Sequence, residues 1–400
     1  MNRKYLETHP FISFHVDLGR APVPLWMNIG EAKSKCEHIA GVPLRPKVAQ
    51  ELHYVYLTKG VLGTTAIEGN TLTEAEVRQL LDGRLKLPPS KEYLAQEINN
   101  IVEACNDIKE SLKNVGDERI TASRLQKFNA SILQNLPLDE GVIPGRFRTY
   151  SVVVGPYKGP PPEECEYLIS ELCKWIESES FSCPEGGNPI VYGLIKAIVF
   201  HIYLAWIHPF GDGNGRTARL VELQMLLAAG VSTPAAHLLS NHYNHTRKRY
   251  YQELDRASKS GGDIIPFLEY AVEGFVDGLK EQLGKIRDQQ WLVAWTNYIH
   301  EKFVDVKKTV SSHRQRDLAI ALSEQGETLQ LSEIIQSSPR VAKLYARKTA
   351  RTIQRDLVAL ERLGLIERTL LGVRAKKEAI LAFLPHQVKL GPPIPQPELF

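Results

Sequence analysis

The chain has 400 residues, 43% hydrophobic and 24% charged, enough apolar side chain to bury a sizeable core split over two or three domains. Its five cysteines include no Cys-x-x-Cys pair, which argues against both a disulfide framework and a thiolate zinc site and predicts reduced structural thiols. Net charge is +3, but residues 311–381 carry 13 Lys and Arg against 8 Asp and Glu, so any acidic or phosphate-bearing partner is expected at the C-terminal part.

Met1 to Arg20 mixes Arg3, Lys4, Glu7 and Asp17 into its apolar residues, which gives no apolar run for a secretory signal and makes the cytoplasm the expected compartment. Residues 1 to about 45 read as an irregular leader. From Pro46 to Ala66 the spacing of Val48, Leu52, Val55, Tyr56 and Leu62 predicts a helix, ended by Glu68-Gly69-Asn70. Thr73 with Glu76 forms a capping-box pattern that opens the next helix. Helices are predicted over 91–113 and 121–133. Thr149, Tyr150, Ser151, Val152, Val153 and Val154 have the β-branched and aromatic content of a strand or hairpin between Gly and Pro clusters. Helices resume near Glu164, Pro189, Gly215, Asn241 and Asp263. Val191 to Ile207 is shorter than a bilayer needs and contains Lys196 and His201, so it reads as a buried core helix and no membrane is expected. Trp291 to Val306 reads as a connecting helix. Beyond it come helices near 313–323, 331–336 and 350–363, a first wing strand at Leu365 to Arg368, and an extended Pro-rich tail from Pro385.

The segment His208-Pro-Phe-Gly-Asp-Gly-Asn-Gly-Arg-Thr-Ala-Arg219 joins the end of one helix to the start of another. Gly211, Gly213 and Gly215 free backbone N–H groups to converge on an anion at a helix start. Arg216 and Arg219, three apart, share a helical face. Asp212 is a hard oxygen ligand suited to magnesium beside phosphates. The glycines follow a helix rather than a strand and lack the lysine of a Walker loop, which excludes both dinucleotide and P-loop readings. His237, His242 and His245 lack carboxylate or thiolate partners at ligand spacing and are read as surface or supporting residues.

This segment fits every position of H-P-F-x-D-G-N-G-R-x-x-R, and the chain here resembles the Fic (Fido) family of protein adenylyltransferases. Arg247-x-x-Tyr250-Tyr251 and Gly262-Asp263-x-x-Pro266-Phe267 extend the resemblance over roughly residues 45–280. It implies a mainly α fold with a Fic-type helical core and a small β-hairpin flap, and transfer of AMP from ATP to a protein hydroxyl. His208 would be the general base, and Asp212 would hold Mg2+. Gly213, Asn214 and Gly215 would cradle the phosphates, Arg216 and Arg219 would neutralise them, Tyr250 would line the adenine pocket, and the 149–154 segment would align the target. Ser258 stands where some relatives have Asn. Thr64-Thr-Ala-Ile-Glu68-Gly69 resembles the family's inhibitory motif, which implies that Glu68 pairs with Arg219 beside the ATP site and leaves ATP in an unproductive pose.

Between Arg340 and Lys377 the chain has eleven Lys or Arg and three acidic residues. The run from Thr349 to Ile366 resembles the recognition helix and wing of winged-helix regulators, with Arg351, Thr352, Gln354 and Arg355 off the apolar stripe as DNA-contact candidates. The expected organisation is an N-terminal helical region with the inhibitory helix over 1–100 and a Fic core over 101–285. A linker helix over 286–310, a winged helix-turn-helix domain over 311–384 and a tail over 385–400 complete it. The target protein, the chain itself included, and DNA are the expected partners, and the resemblance leaves room for a homodimer. Two alternatives stay open: a DNA-binding regulator using the Fic unit as an ATP sensor, and an enzyme that removes AMP with Glu68 positioning water.

Overall fold

A computed structural model of the chain describes residues 3–113, 119–325 and 328–380; the tail expected over 385–400 lies outside them. The chain divides into two compact units, Met1–Gly284 and Lys285–Phe400, so the regions expected over 1–100 and 101–285 share one unit and one apolar core.

At the centre of the first unit is the helix Pro189–Ile207, opened by proline in its first turn and by the Asn188 side chain, which accepts from Ile190 N. Every residue from Ala197 to Leu204 is buried, the mark of a helix that is apolar all round because neighbours cover every face. It is long and apolar enough to pass for a membrane span, yet it is largely buried in protein. The helices Val23–Gly41, Cys165–Ile176 and Asn214–Ala228 pack on it. The Pro46–Ala66 helix packs on Leu238–His245 and meets Asn214–Ala228, which brings its C-terminal end to the loop before that helix.

Several elements differ from expectation. The supposed leader contains the 19-residue helix Val23–Gly41. Its Leu25, Ile29, Ala32 and Cys36 are buried at helical spacing, and Pro24 sits in the first turn, where proline is compatible with a helix. The extended segment is shorter than 149–154: only Val153–Val154 pairs, antiparallel with Tyr157–Lys158. Thr149 and Tyr150 bend away from ladder geometry, and the Tyr150 carbonyl is taken by the Arg148 guanidinium.

The helix expected to start near Asp263 and the one expected at Trp291 form a single element, Ile265–Lys302, and the division between units falls within it. Trp295 and Ile299 belong to the second unit's core, with Leu318, Ile353, Leu357 and Leu360. That unit runs Val310–Gln325, Leu331–Ile334, Pro339–Tyr345 and Ala350–Arg362, then a hairpin of Ile366–Thr369 against Gly372–Ala375. Pro339–Tyr345 was not anticipated. Gly364 takes φ +73°, the left-handed stop expected after the helix Ala350–Arg362. Asp356 is buried and holds three helices together, accepting from Arg314, Gln315 and Tyr345.

Candidate active site

The loop from His208 to Gly213 is shaped by its neighbours. His208 ends the central helix in the left-handed conformation (φ 46°, ψ 58°), costly for a non-glycine residue and typical of functional positions. Gly213 opens the next helix at φ +77°. A Cβ there would sit 3.0 Å from Asn129 Nδ2 and 3.1 Å from Ile132, so glycine is required by both conformation and space. Asn214 closes the loop on itself, accepting from Phe210 N and donating to Phe210 O, both at 2.9 Å. Its side chain is therefore a loop brace, and what it can offer a phosphate is its backbone. Asn129 braces the other side, donating to Asp212 O at 2.8 Å.

The His208 Nδ1–H donates to Ala205 O at 3.3 Å, which assigns the lone pair to Nε2. Burial pushes the His208 pKa down to about 4; Arg148 adds to this, while the Ala205 bond, Glu68 and Asp212 oppose it. The ring is neutral at neutral pH and able to accept a proton.

Arg219 is 2% exposed. Its Nη2 donates to Glu68 at 2.5 Å and to Thr64 O at 2.9 Å, and its Nε to Thr64 Oγ1 at 3.2 Å. Nη1 is buried with no hydrogen-bond partner. The Glu68 side chain is 27% exposed. Burial works against its charge, but the guanidinium of Arg219, with Arg216 and His208 beyond, wins and holds the Glu68 carboxyl below its ordinary range. The carboxylate lies on Gly215, where any Cβ would collide with its Oε1. Gly69 takes φ +109° just beyond it and lets the chain turn away. The cluster expected from Thr64, Glu68 and Arg219 is thus assembled, and Glu68 occupies the start of the Asn214–Ala228 helix, where an anion is favoured.

Arg216 bridges two carboxylates, Glu97 at 2.5 Å and Asp212 at 2.9 Å. Glu97 is buried, and burial outweighs Arg216 to raise its pKa. Glu97 escaped the sequence reading, although it interrupts the buried stripe Leu94, Ile98, Ile101 of its helix. The sequence also gave no sign of a buried chain behind Tyr250. Its hydroxyl lies 2.8 Å from His201 Nε2, His201 Nδ1 lies 3.0 Å from Glu222, and Tyr243 donates to Glu222 at 2.9 Å.

A cavity of about 590 Å³ opens beside the loop. Glu68, His208, Asn214 and Gly215 line it, together with the apolar or aromatic Ala205, Trp206, Tyr250, Tyr251 and Leu254 and the polar Gln252, Asp255 and Ser258. Of the segment 149–154 only Val154 reaches it; the turn Gly155-Pro156 and Tyr157 complete the lining. Among the described residues no cluster of three or more His, Cys, Asp or Glu could hold a metal by protein ligands alone. His237 is buried rather than at the surface, with a pKa pushed down to about 4 by burial, and Gly60 packs against its ring.

One cavity is thus lined by a neutral histidine and by the first residues of a helix whose start favours an anion and which carries two buried arginines, Arg216 and Arg219. The model of the Fic/DOC family matches residues 119–226. The chain is similar to the protein adenylyltransferase Fic of Culex quinquefasciatus, 32% identical over 211 residues, 52% of this chain and 38% of the relative. Similarity to the Nematostella vectensis protein of that name is 30% over 208 residues, 52% of this chain and 44% of the relative. The chain spans less than half the length of these curated relatives. In fold it resembles a Fic family protein from Desulfovibrio desulfuricans (TM-score 0.53, 21% identity, 87% of this chain and 92% of that one). It also resembles a Fic-1 fragment from Caenorhabditis elegans (TM-score 0.52, 23% identity, 66% and 73%).

Proposed function

We propose that the chain transfers AMP from ATP to a hydroxyl of a protein, itself included, and that Glu68 restrains the reaction. The observation that carries this reading is a neutral His208, its Nε2 lone pair unspent, lining a cavity whose apolar and aromatic residues suit a purine. The target oxygen attacks the α-phosphorus, its proton passes to His208 Nε2, and the bond to the β-phosphate breaks to release pyrophosphate. Backbone N–H groups at Asn214 and Gly215 meet the phosphates. The hairpin Val153–Lys158 borders the cavity and receives the target chain by strand addition.

Asp212 spends Oδ1 on Gly213 N–H and Arg216, leaving Oδ2, and its side chain is 45% exposed. One carboxylate beside phosphates is the donor set Mg2+ ordinarily takes, so Asp212 would hold it; when bound, that ion neutralises phosphate charge. Glu68 and the γ-phosphate compete for Arg219, whose Nη1 is still unpartnered. His208→Ala, incubated with labelled ATP and a lysate beside the unaltered chain, tests the reading: transfer should fall by about 10²–10⁴-fold with ATP binding kept. Undiminished labelling would remove His208 from the chemistry.

A second proposal concerns the C-terminal unit. Its helices and hairpin fit a winged helix, and Arg351, Gln354 and Arg355 are exposed on the face opposite Ile353, Leu357 and Leu360, with Thr352 half-buried beside them. This supports contact with duplex DNA in the cytoplasm.

A further inference from the structure

Arg148 is 4% exposed, yet among the described residues it pairs with no carboxylate. Glu163, a carboxylate whose field reaches it, is bound at 2.7 Å to Lys4. Its donors go to main-chain carbonyls instead: Nε to His208 O at 2.7 Å, Nη1 to Tyr150 O at 2.8 Å, and Nη2 to Pro160 O at 2.7 Å and Ile207 O at 3.5 Å. Burying an arginine without a counter-ion is costly. A chain that only needed to fill this volume would do so with an apolar residue.

The four carbonyls identify what the charge does. Ile207 and His208 end the central helix and carry the base. Tyr150 and Pro160 are the two stems of the hairpin, on either side of Val153–Lys158. One planar guanidinium therefore fixes the base and both hairpin stems relative to one another, a task its rigid fork suits and a lysine ammonium does not. The main chain is stitched at the same place, with Arg148 N donating to Pro209 O at 2.8 Å and Phe147 bridging Phe210. Those contacts survive replacement of the side chain, so a substitution isolates the guanidinium. Gly159 makes room for it: a Cβ there would lie 3.0 Å from Nη2. The left-handed backbone of His208 is strained, and its carbonyl is held by this fork.

We propose that Arg148 is a positioning residue that couples the hairpin to the base, so that a protein hydroxyl presented along Val153–Lys158 arrives at His208 Nε2. The proposal rests on the AMP-transfer reading. Its positive charge also faces His208, together with the opposing Glu68 and Asp212, and favours the neutral imidazole.

The test uses the full chain in a Glu68→Gly background, comparing Arg148, Arg148→Lys and Arg148→Met. Arg148→Met should lower kcat for labelled-AMP transfer by about 10²-fold, the usual cost of a small misplacement, with the Kd for ATP unchanged. Arg148→Lys, keeping the charge but not the fork, should recover about 10-fold of that loss. Transfer by Arg148→Met at the parent rate overturns the proposal, as does a kcat loss matched by lost ATP affinity with no recovery in Arg148→Lys. The histidine ring titration, followed by NMR in the same proteins, is independent of activity. Removing the cation in Arg148→Met should raise the His208 pKa, and Arg148→Lys should leave it in place; an unmoved titration in Arg148→Met overturns the coupling. If the Glu68→Gly parent transfers no AMP at all, the transfer reading fails while this titration still decides the role of Arg148. If Arg148→Met does not fold, Arg148→Lys decides: a kcat at the parent rate overturns the need for the fork.

Discussion

Replacing Glu68 by glycine should make the protein less stable and more active at once. In the folded chain the Glu68 carboxylate neutralises a guanidinium that is 2% exposed, and only the Thr64 carbonyl and hydroxyl remain when it is gone. Breaking a fully buried pair typically costs about 3–5 kcal/mol. Glu68 itself is 27% exposed on the cavity side, so water can enter the vacated place, and a cost of about 1–3 kcal/mol is expected. For a unit of this size that lowers Tm by roughly 2–10 °C. The same change frees Arg219 for a phosphate contact and opens the space above Gly215, and labelling with AMP should rise. Saturating MgATP should restore more Tm to Glu68→Gly than to the parent, because an anion replaces the missing one. Differential scanning fluorimetry with and without MgATP, beside a labelled-AMP assay, measures all three quantities. An unchanged Tm would show that the pair contributes nothing, and labelling no faster than the parent would remove Glu68 as a restraint. Slower loss of AMP from a modified target in Glu68→Gly would favour the role of Glu68 in removing AMP.

Three further outcomes follow from other contacts. Glu97→Leu strips the buried partner from Arg216 and should cost about 3–5 kcal/mol in urea unfolding; a loss under 1 kcal/mol would mean Asp212 alone satisfies that arginine. The pKa values of His208, His237 and His242 are each pushed down to about 4 by burial. The unfolded chain therefore binds more protons between its ordinary value near 6.5 and pH 4, and stability present above pH 6.5 should be lost as pH falls through that window. The ceiling is roughly 3 kcal/mol for the fully buried His237 and less for the other two; equal denaturation midpoints at pH 7 and pH 5 would contradict this. Binding of the full chain to duplex DNA should weaken steeply with salt and fall in Arg351→Ala/Arg355→Ala, whereas gel shifts that are absent at low salt would leave the C-terminal unit a protein-docking role.

The loop 208–219 was legible because its pattern is written into consecutive residues: glycines, an acid, two arginines and a histidine within twelve positions. The Glu68 pairing was legible for a related reason, since Thr64 and Glu68 lie one turn apart and act together on Arg219. The helix Val23–Gly41 carried a readable stripe that its prolines obscured. What stayed hidden are groups whose partners are main-chain atoms or distant side chains. Arg148 reaches four carbonyls and no side chain, so no residue type elsewhere in the sequence could advertise it. Glu97 meets Arg216 across 119 positions, and only its place in an apolar stripe marked it. The hairpin is shorter than residues 149–154 suggest because β-branched content reports what a segment tolerates, whereas pairing depends on where its carbonyls go. In Thr149 to Val152 that choice is made by a buried guanidinium outside the segment, which takes Tyr150 O and leaves only Val152 O to meet the opposite strand at Gly159 N. The piece of the site that sequence patterns describe least is therefore the piece that ties the base to the hairpin beside it.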